Sequence, residues 1–544
     1  MIDSDDRSEK VVQDADSDHA SSGRPVLVVG AGPTGLLLAA ELRRRGVPCQ
    51  LIDALPAPLH WDRATVVHPR SLEVFESLGL VKRFLDAGTK QRRVQLHSGG
   101  QLLGTMDLSA CGSIYGFNLG VSEEVTEAIL TDYLHQQGGE VIHSSRLVGL
   151  TPQPDGVLAE IERGSRRYQV DARWVVGCDG IHSPTRELSG IGFEGHNIAK
   201  PWAVFDATLE CWANPYDAIY VYLDQLPVIL TALPGRRWRV YLRPSSPESD
   251  LVADAASTIR RYEPAVSFAD VEDPTRFQCH TKVASTFRAG RVLLAGDAAH
   301  LCSPAEGHGM NCGLQDAVNL AWKLALVYQG AAQPALLDSY EAERRPVAEM
   351  IARSGDATEQ AQTLTDPEER YRRDQSMRAV LAGSAAKHHE VVAETELNVD
   401  CCGSSIVAGD TNNYPGPGQR FPDTIAVQPS DSGRRPLHEL THRAGHTLVL
   451  LGGPAAGPQL APLLAALQDF AAGSVLFEAA FAFGAGPNLT DSIGRFEPAA
   501  ADLLGVQGTT VFAVRPDGYI GLRSDRDHLK ALERYRTLIV SGHA

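Results

Sequence analysis

Apolar positions in this chain fall into runs of distinct kinds, and their order predicts an α/β fold. The continuous run VLVV at 26–29 reads as a buried strand, LLLAAELRRRG at 36–46 as a helix stopped by Gly46, and CQLID at 49–53 as a second strand. Helical spacing returns at 125–136. Beyond it EVIHSS, RLVGLTP, GVLAEIE and RYQVDARWVVGCDG alternate like a β-meander that rejoins the first sheet. From about 195 to 285 the alternating runs, among them DAIYVYL and RRWRVYLRP, carry Trp202, Phe205, Trp212, Tyr216, Tyr220, Tyr222, Trp238 and Tyr241 and predict an inserted, mostly antiparallel sheet. Its rings are candidates for the wall of an aromatic-binding pocket, although most are expected to be ordinary sheet core.

The apolar run at 292–295 is a further buried strand. Pro304, Gly307 and Gly309 then keep the chain in a loop, and Leu314, Val318, Ala321, Leu324 and Ala325 recur at helical spacing, so a helix begins near 311–313. EAERRP and DPEERYRRD extend a helical region to about 400, and 401–418, rich in Gly, Asn and Pro, reads as a linker. HTLVLL, a helix at 459–470, TTVFAV, the turn Arg515-Pro-Asp-Gly518, YIGLR and a last helix with HLKALERY predict a small α/β domain. The expected division is a disordered acidic tail at 1–24, a nucleotide-binding domain at 25–194 and 286–400, the inserted sheet at 195–285, the linker, and a C-terminal domain at 419–544.

The first strand runs directly into Gly30-Ala-Gly32-Pro-Thr-Gly35. Gly30 makes the tight turn, Gly32 lets a pyrophosphate approach the backbone, and Gly35 lets helix and strand pack closely. Asp53 ends the next strand, at the spacing of the acid that accepts hydrogen bonds from an adenosine ribose. Strand, turn, helix, strand and acid in register specify a dinucleotide, NAD or FAD. Asp179-Gly180 and Gly296-Asp297 also end apolar strands, so three strand ends reach what would be one sheet edge and one extended ligand. The helix start near 311 presents free N–H groups and a partial positive charge, suited to a group that is anionic or becomes so.

Composition narrows the class. Fifty Lys and Arg against 67 Asp and Glu leave a net charge of −17 with no long basic run, so nucleic acid is not an expected partner. The nine cysteines form no CxxC pair and no Cys/His spacing typical of zinc, which points to a reducing, cytoplasmic setting and no metal. The acidic first 24 residues lack the apolar core of a signal peptide, and no uninterrupted apolar run approaches the roughly 20 residues of a membrane span, so a soluble protein without a membrane partner is expected.

GAGPTG at 30–35, CDGIHSPTR at 178–186 and AGDAAHLCSPAEGHGMNCGLQDAVNLAWKLA at 295–325, with YEAERRP at 340–346, together resemble the class A flavoprotein monooxygenases. These are the FAD-dependent aromatic hydroxylases similar to para-hydroxybenzoate hydroxylase and phenol hydroxylase. The resemblance spans the first 350 residues. GQRFPD and VRPDGYIGLR make the C-terminal part similar to the thioredoxin-like domain, without redox cysteines, of some relatives. The resemblance implies a Rossmann-like FAD-binding domain with Gly30, Gly32 and Gly35 on the pyrophosphate, Asp53 on the adenosine ribose, Arg63 on a mobile flavin, and Gly296-Asp297 at the ribityl chain. It places Asp179 in a motif linked with FAD and NADPH, Pro304 beside the isoalloxazine, and the N–H groups of Gly309, Met310 and Asn311 at its pyrimidine edge. Arg63, Asp297 and Pro304 are thus the implied catalytic positions. Glu306 stands where many relatives have glycine, putting a carboxylate near the flavin, and Ser122 or Glu123 stands where many carry glutamine.

The implied activity is NAD(P)H-dependent hydroxylation of a small aromatic or polycyclic phenolic substrate by molecular oxygen, through a flavin C4a-hydroperoxide, in a chain that the family leads one to expect as a homodimer. Baeyer–Villiger insertion or antibiotic modification on the same fold, and a non-catalytic flavin-binding protein, are the alternatives. His280, His300, His308, Tyr220 and Tyr222 are candidates for a base toward the substrate phenol, each more readily read as structural. Arg236, Arg237, Arg239 and Arg243 suit an anionic substrate and exposed strand charges equally.

Overall fold

Short strands that are apolar at every position need cover on both faces, and helices provide it here. The computed structural model describes residues 23–58, 64–410, 412–486 and 493–542. Val26–Val29, Cys49–Ile52, Trp174–Gly177 and Val292–Leu294 are almost wholly buried and lie parallel, with Val141–Ile142 at one edge and the antiparallel Arg288–Ala289 at the other. Val29 pairs with both Ile52 and Gly177, and Gly177 with Leu294, so the four strands end level. The expected meander is present as Ser145–Gln153, Gly156–Arg163 and Arg166–Ala172.

The inserted sheet has seven strands and is not confined to 195–285. Arg93–Ser98 and Gln101–Asp107, a hairpin turned at Gly99-Gly100, join it alongside Ala218–Tyr222. Period-two alternation divides its side chains between two faces. Phe205, Tyr220, Tyr222 and Trp238 pack with the helix Leu251–Ile259. On the other face Val204, Ile219, Ile229 and Tyr241 share a core with Ala305 of the loop before the long helix, and with Leu381, Val391 and Leu397. Those last three belong to the helical region, which consists of Asp338–Gln362, Pro367–Ala382 and Ser384–Glu394 and the turn after it.

In the C-terminal domain the buried strand His446–Gly452 lies between Phe477–Gly484, parallel, and Thr509–Val514, antiparallel, in an eight-stranded sheet. The segment 401–418 is not a free linker. Cys401 and Ile406 are buried, Ala408–Gly409 pairs with Ile520–Ser524 as the edge of that sheet, and Cys401 N–H donates to Gly418 O. Gly, Asn and Pro there shape turns on the domain rather than loosen the chain. The acidic tail expected at 1–24 lies outside the described residues but for Gly23 and Arg24. No helix among the described residues is long and apolar enough to cross a membrane.

The Arg515–Gly518 turn docks this domain. Arg515, fully buried, donates to Glu343 Oε1 and Oε2 at 2.8 and 2.7 Å and to Asp517 Oδ1 at 3.0 Å. Glu343 also accepts from Lys323 and Asn319, both at 2.7 Å, while Asp517 accepts from Trp322 at 3.0 Å. Two cations and two anions thus balance in a fully buried site. Burial opposes the charge of Glu343, yet Arg515 and Lys323 hold it ionised, well below the usual carboxylate range. Truncating one partner of such a cluster strands the others in low dielectric. Arg515→Ala is therefore expected to cost about 3–5 kcal/mol in chemical denaturation and to expose 401–544 to proteolysis. An unchanged midpoint would mean that the cluster does not hold the domains.

Candidate functional site

The level strand ends deliver Gly30, Asp53, Asp179 and Gly296-Asp297 to one edge of the parallel sheet, where open α/β sheets bind ligands. Gly30 has φ +100°, and a Cβ there would stand 2.3 Å from the Cys178 carbonyl oxygen; at Gly35 it would stand 1.9 Å from the Gly30 oxygen. Those two glycines serve packing. Gly32 differs, because a Cβ there meets only Glu127 Oε1 at 3.9 Å, leaving open space before the helix Pro33–Arg44. No side chain caps that helix, so its first N–H groups face this space.

Asp53 Oδ2 accepts from Ala31 N–H and Oδ1 from Leu55 N–H, both at 2.7 Å. The carboxylate thus fixes the glycine turn and keeps lone pairs for a ribose. Asp179 is spent locally. It accepts from Ser183 Oγ, and from Thr185 N–H and Oγ at 2.9 and 2.7 Å, capping the short helix Pro184–Leu188. Gly296 has φ +59° and donates its N–H to Asp316 Oδ2 at 3.1 Å, while Asp297 lies exposed at the edge. Arg63 lies outside the described residues.

The second helix start is His308–Tyr328, entered through Pro304–Glu306 and Gly307 at φ +71°. It also lacks a side-chain cap, and a Cβ on Gly309 would meet only Cys302 Sγ at 3.9 Å. Asn311 secures this start with its side chain: Nδ2 donates to Val66 O and Gly307 O at 2.8 and 2.9 Å, and Oδ1 accepts from His68 N–H at 2.9 Å. Pro304, Gly309 and Met310 are half-buried. Glu306 Oε1 accepts from Ser354 and Thr358 at 3.0 and 2.5 Å, while its Oε2 lies 3.7 Å from His308 Nε2. Ser122 caps the helix Glu123–Gln136, and Glu123 accepts from Ala64 N–H at 3.3 Å.

A buried acid–base cluster that sequence reasoning missed surrounds this loop. His308 Nδ1 lies 2.8 Å from Glu396 Oε1, and Glu396 also accepts from Gln315. Burial opposes the charge of His308, but Glu396 prevails and its pKa is pushed up to about 9. His68, 5.0 Å away between ring centres, is driven by burial to about 4 and bonds Asn118 Oδ1 at 3.1 Å. Asn118 donates in turn to Glu394 Oε1 at 3.1 Å, and burial raises Glu394 to about 7. One signal was legible: Glu394 ends a helix, where the dipole disfavours an anion.

Of the other proposed bases, the structure does not bring Tyr220 or Tyr222 to the loop, since both face the Leu251–Ile259 side of the sheet. His300 is locked to Asp316 at 2.7 Å, and His280 to Asn197 at 2.7 Å. The rings at Trp212, Tyr216, Tyr220 and Trp238 pack edge to face with one another as sheet core. Trp202 and Tyr241 alone among the aromatic residues named for 195–285 belong to the core shared with the loop. The arginines are consumed too: Arg239 pairs with Asp206, Arg243 with Glu359, and Arg237 with Glu272, while Arg236 is an exposed turn residue.

Two uncapped helix starts and four level strand ends along one edge define a dinucleotide-binding protein. The family model described as FAD binding domain matches residues 24–355, and the chain belongs to this family of FAD-dependent monooxygenases. It is 31% identical over 526 residues to the 12-dehydrotetracycline 5-monooxygenase/anhydrotetracycline 6-monooxygenase of Streptomyces rimosus, covering 91% of this chain and 94% of that protein. It is 33% identical to pentachlorophenol 4-monooxygenase of Sphingobium chlorophenolicum over 61% of this chain and 63% of that one. Among solved structures, the OxyS anhydrotetracycline hydroxylase of Streptomyces rimosus superposes with a TM-score of 0.72 at 29% identity, covering 94% and 98%. The flavin-dependent monooxygenase PieE, solved with FAD and substrate, shares the fold with a TM-score of 0.78 at 24% identity, covering 95% and 99%. FAD is the cofactor, and the open cradle at Gly32 and the free N–H groups at both helix starts fit it.

Gly32→Val is expected to fold normally and lose FAD, whereas Gly35→Ala is expected to lose folded protein; flavin absorbance per chain and circular dichroism distinguish them. A yellow, fully loaded Gly32→Val would put the pyrophosphate elsewhere. The His308–Glu396 pair sets a pH limit. Because the folded pKa of His308 is raised, its contribution is complete below about 6.5 and is lost as pH rises through about 9. The thermal midpoint is expected to fall across that window, with the decline diminished in His308→Gln; parallel profiles for the two proteins would refute the assignment.

Proposed function

We propose that this chain hydroxylates an electron-rich polycyclic phenol, consuming molecular oxygen and NADPH or NADH. The observation that carries the reading is the apolar sheet face set against the 304–309 loop at an uncapped helix start. When bound, FAD supplies hydride acceptance and oxygen activation, which side chains do not. The protein's part is to hold, orient and keep dry. Gly30, Gly32 and Gly35 with the first turn of Pro33–Arg44 would hold the pyrophosphate, and Asp53 the ribose. Gly296 and Asp297 would meet the ribityl chain, Pro304 would lie beside the ring, and N–H groups of Gly309, Met310 and Asn311 would stabilise its negative charge. Arg63 would complete the ring's support, and the Asp179 turn would contribute through its backbone.

The apolar face, with Ala305, Val391 and Leu397 opposite, would exclude water from the reacting ring. Tyr241 OH and Thr65 Oγ, 3.0 Å apart, place hydroxyls on the same wall. Similarity over nearly the whole length to a tetracycline monooxygenase favours a polycyclic substrate over a single ring. The nine free cysteines suit a reducing cytoplasm.

Glu394 is the group best placed to take the phenol proton. It is half-buried, three residues after Val391 on the helix that closes this core, and its pKa of about 7 lets it exchange protons at neutral pH. Its carboxyl is neutral below that value and basic above it. With FAD-loaded protein, polycyclic phenols are expected to stimulate NADPH oxidation and gain one oxygen by mass. Glu394→Gln is expected to keep FAD, lose about 10²-fold or more in kcat, and lose the rise in rate through pH 7. Unstimulated oxidation across a panel from single-ring to polycyclic phenols would overturn the hydroxylase reading, and an unchanged profile in the variant would move the base elsewhere.

A further inference from the structure

Against the expectation of no zinc-type spacing, His438-Glu-Leu-Thr-His442 spells the HExxH arrangement of zinc sites, in a domain to which nothing above gives a chemical role. The turn His438–Thr441 is a single 3-10 turn, not an α-helix, and Glu439 is exposed. The arrangement therefore lacks the inward general base of a hydrolase. Its two histidines instead face a carboxylate from the other domain. Glu76, in the helix Pro69–Ser77, has Oε2 at 2.8 Å from His438 Nε2. The rings of His438 and His442 are 5.0 Å apart, and one ligand atom from each of the three residues lies within 4.8 Å of the others.

Three further observations separate this cluster from an ordinary ion pair. His438 is 5% exposed, and its Nδ1 is buried without a hydrogen-bond partner, a state that polar atoms in native interiors rarely keep. No hydrogen bond engages the His442 ring among the described residues. Both imidazoles line a cavity of about 40 Å³, together with Arg70, Glu73, Thr441 and Asp423, room for a few water molecules but not for an organic ligand. Among the described residues the two other histidine clusters are already filled: Arg344 bonds Asp316 and Cys312 beside His300, and Glu396 spends both oxygens on His308 and Gln315.

We propose that Glu76, His438 and His442 form a binding site for a divalent transition-metal ion of the zinc class, clamping the C-terminal domain to the FAD-binding domain. Two imidazoles and one carboxylate are a borderline-soft donor set suited to zinc, with the cavity side left for water. Ligand atoms around such an ion stand roughly 3.3–3.5 Å apart, so His442 and Glu76, both half-buried, need only small rotations to close on it. The ion would join ligands from both domains, adding to the Arg515 cluster a clamp that depends on metal supply.

The test is calorimetric titration of Zn²⁺ into chelator-treated, FAD-loaded full-length protein, with thermal unfolding in parallel. One ion per chain is expected, with a raised unfolding midpoint. His442→Gln and Glu76→Gln should each weaken binding about 10–100-fold and abolish the rise, while Glu439→Gln should change neither. All variants are checked by flavin content and circular dichroism. His442 and Glu76 are half-buried, so the folded state should survive, and should one variant misfold the other decides. Absence of saturable binding, or equal affinity in wild type and variants, would overturn the proposal and leave Glu76–His438 as an ion pair only.

Discussion

Much of the architecture depends on one buried carboxylate. Asp316, within the long helix His308–Tyr328, accepts from the N–H of Gly296, from His300 at 2.7 Å and from Arg344 at 2.7 Å. One side chain thereby fixes a strand end, the return of the loop and the packing of a second helix. Burial disfavours its charge, but His300 and Arg344 keep it ionised below its ordinary range. This sets the Gly296-Asp297 turn against the helix that starts at His308. Thr34 completes the join, since a Cβ on Gly296 or Gly313 would come within 2.7 or 2.3 Å of its hydroxyl oxygen. Both helix starts therefore face one edge.

The adjacent residues Glu343 and Arg344 divide the next layer of structure between them. Arg344 secures the cofactor side through Asp316, and Glu343 binds the Arg515 turn of the C-terminal domain. A helix turns about 100° per residue, so neighbours serve different partners. Domain docking and the geometry of the strand end are thus joined through a single helix, Asp338–Gln362.

Around the loop, environment sorts chemically similar groups into different states. His68 and His308 are both buried and their rings nearly touch, yet one is neutral and the other charged, because only His308 bonds a carboxylate directly. Glu396 is held ionised by that histidine, whereas Glu394, bonded to a neutral amide, titrates near neutrality. Such separation of otherwise equivalent groups is how a site obtains an acid and a base at one pH.

The parallel sheet, its glycine turn, the Asp53 strand end and the long helix were legible in sequence, because continuous apolar runs and local turn chemistry are set by neighbours in the chain. So was the convergence of Gly30, Asp179 and Gly296-Asp297, since each follows an apolar run that fits a parallel strand of one sheet. Other features were not legible. The Arg93–Asp107 hairpin joins a distant sheet, 401–418 packs where composition suggested a linker, and Asp179 spends its carboxylate on its own turn. The acid–base cluster draws His68, Asn118, His308, Glu394 and Glu396 from four separate segments. Sequence determines which strands and turns form because those depend on near neighbours; tertiary structure alone decides which side chains share a buried site, because charge and hydrogen-bond satisfaction there depend on residues hundreds of positions apart.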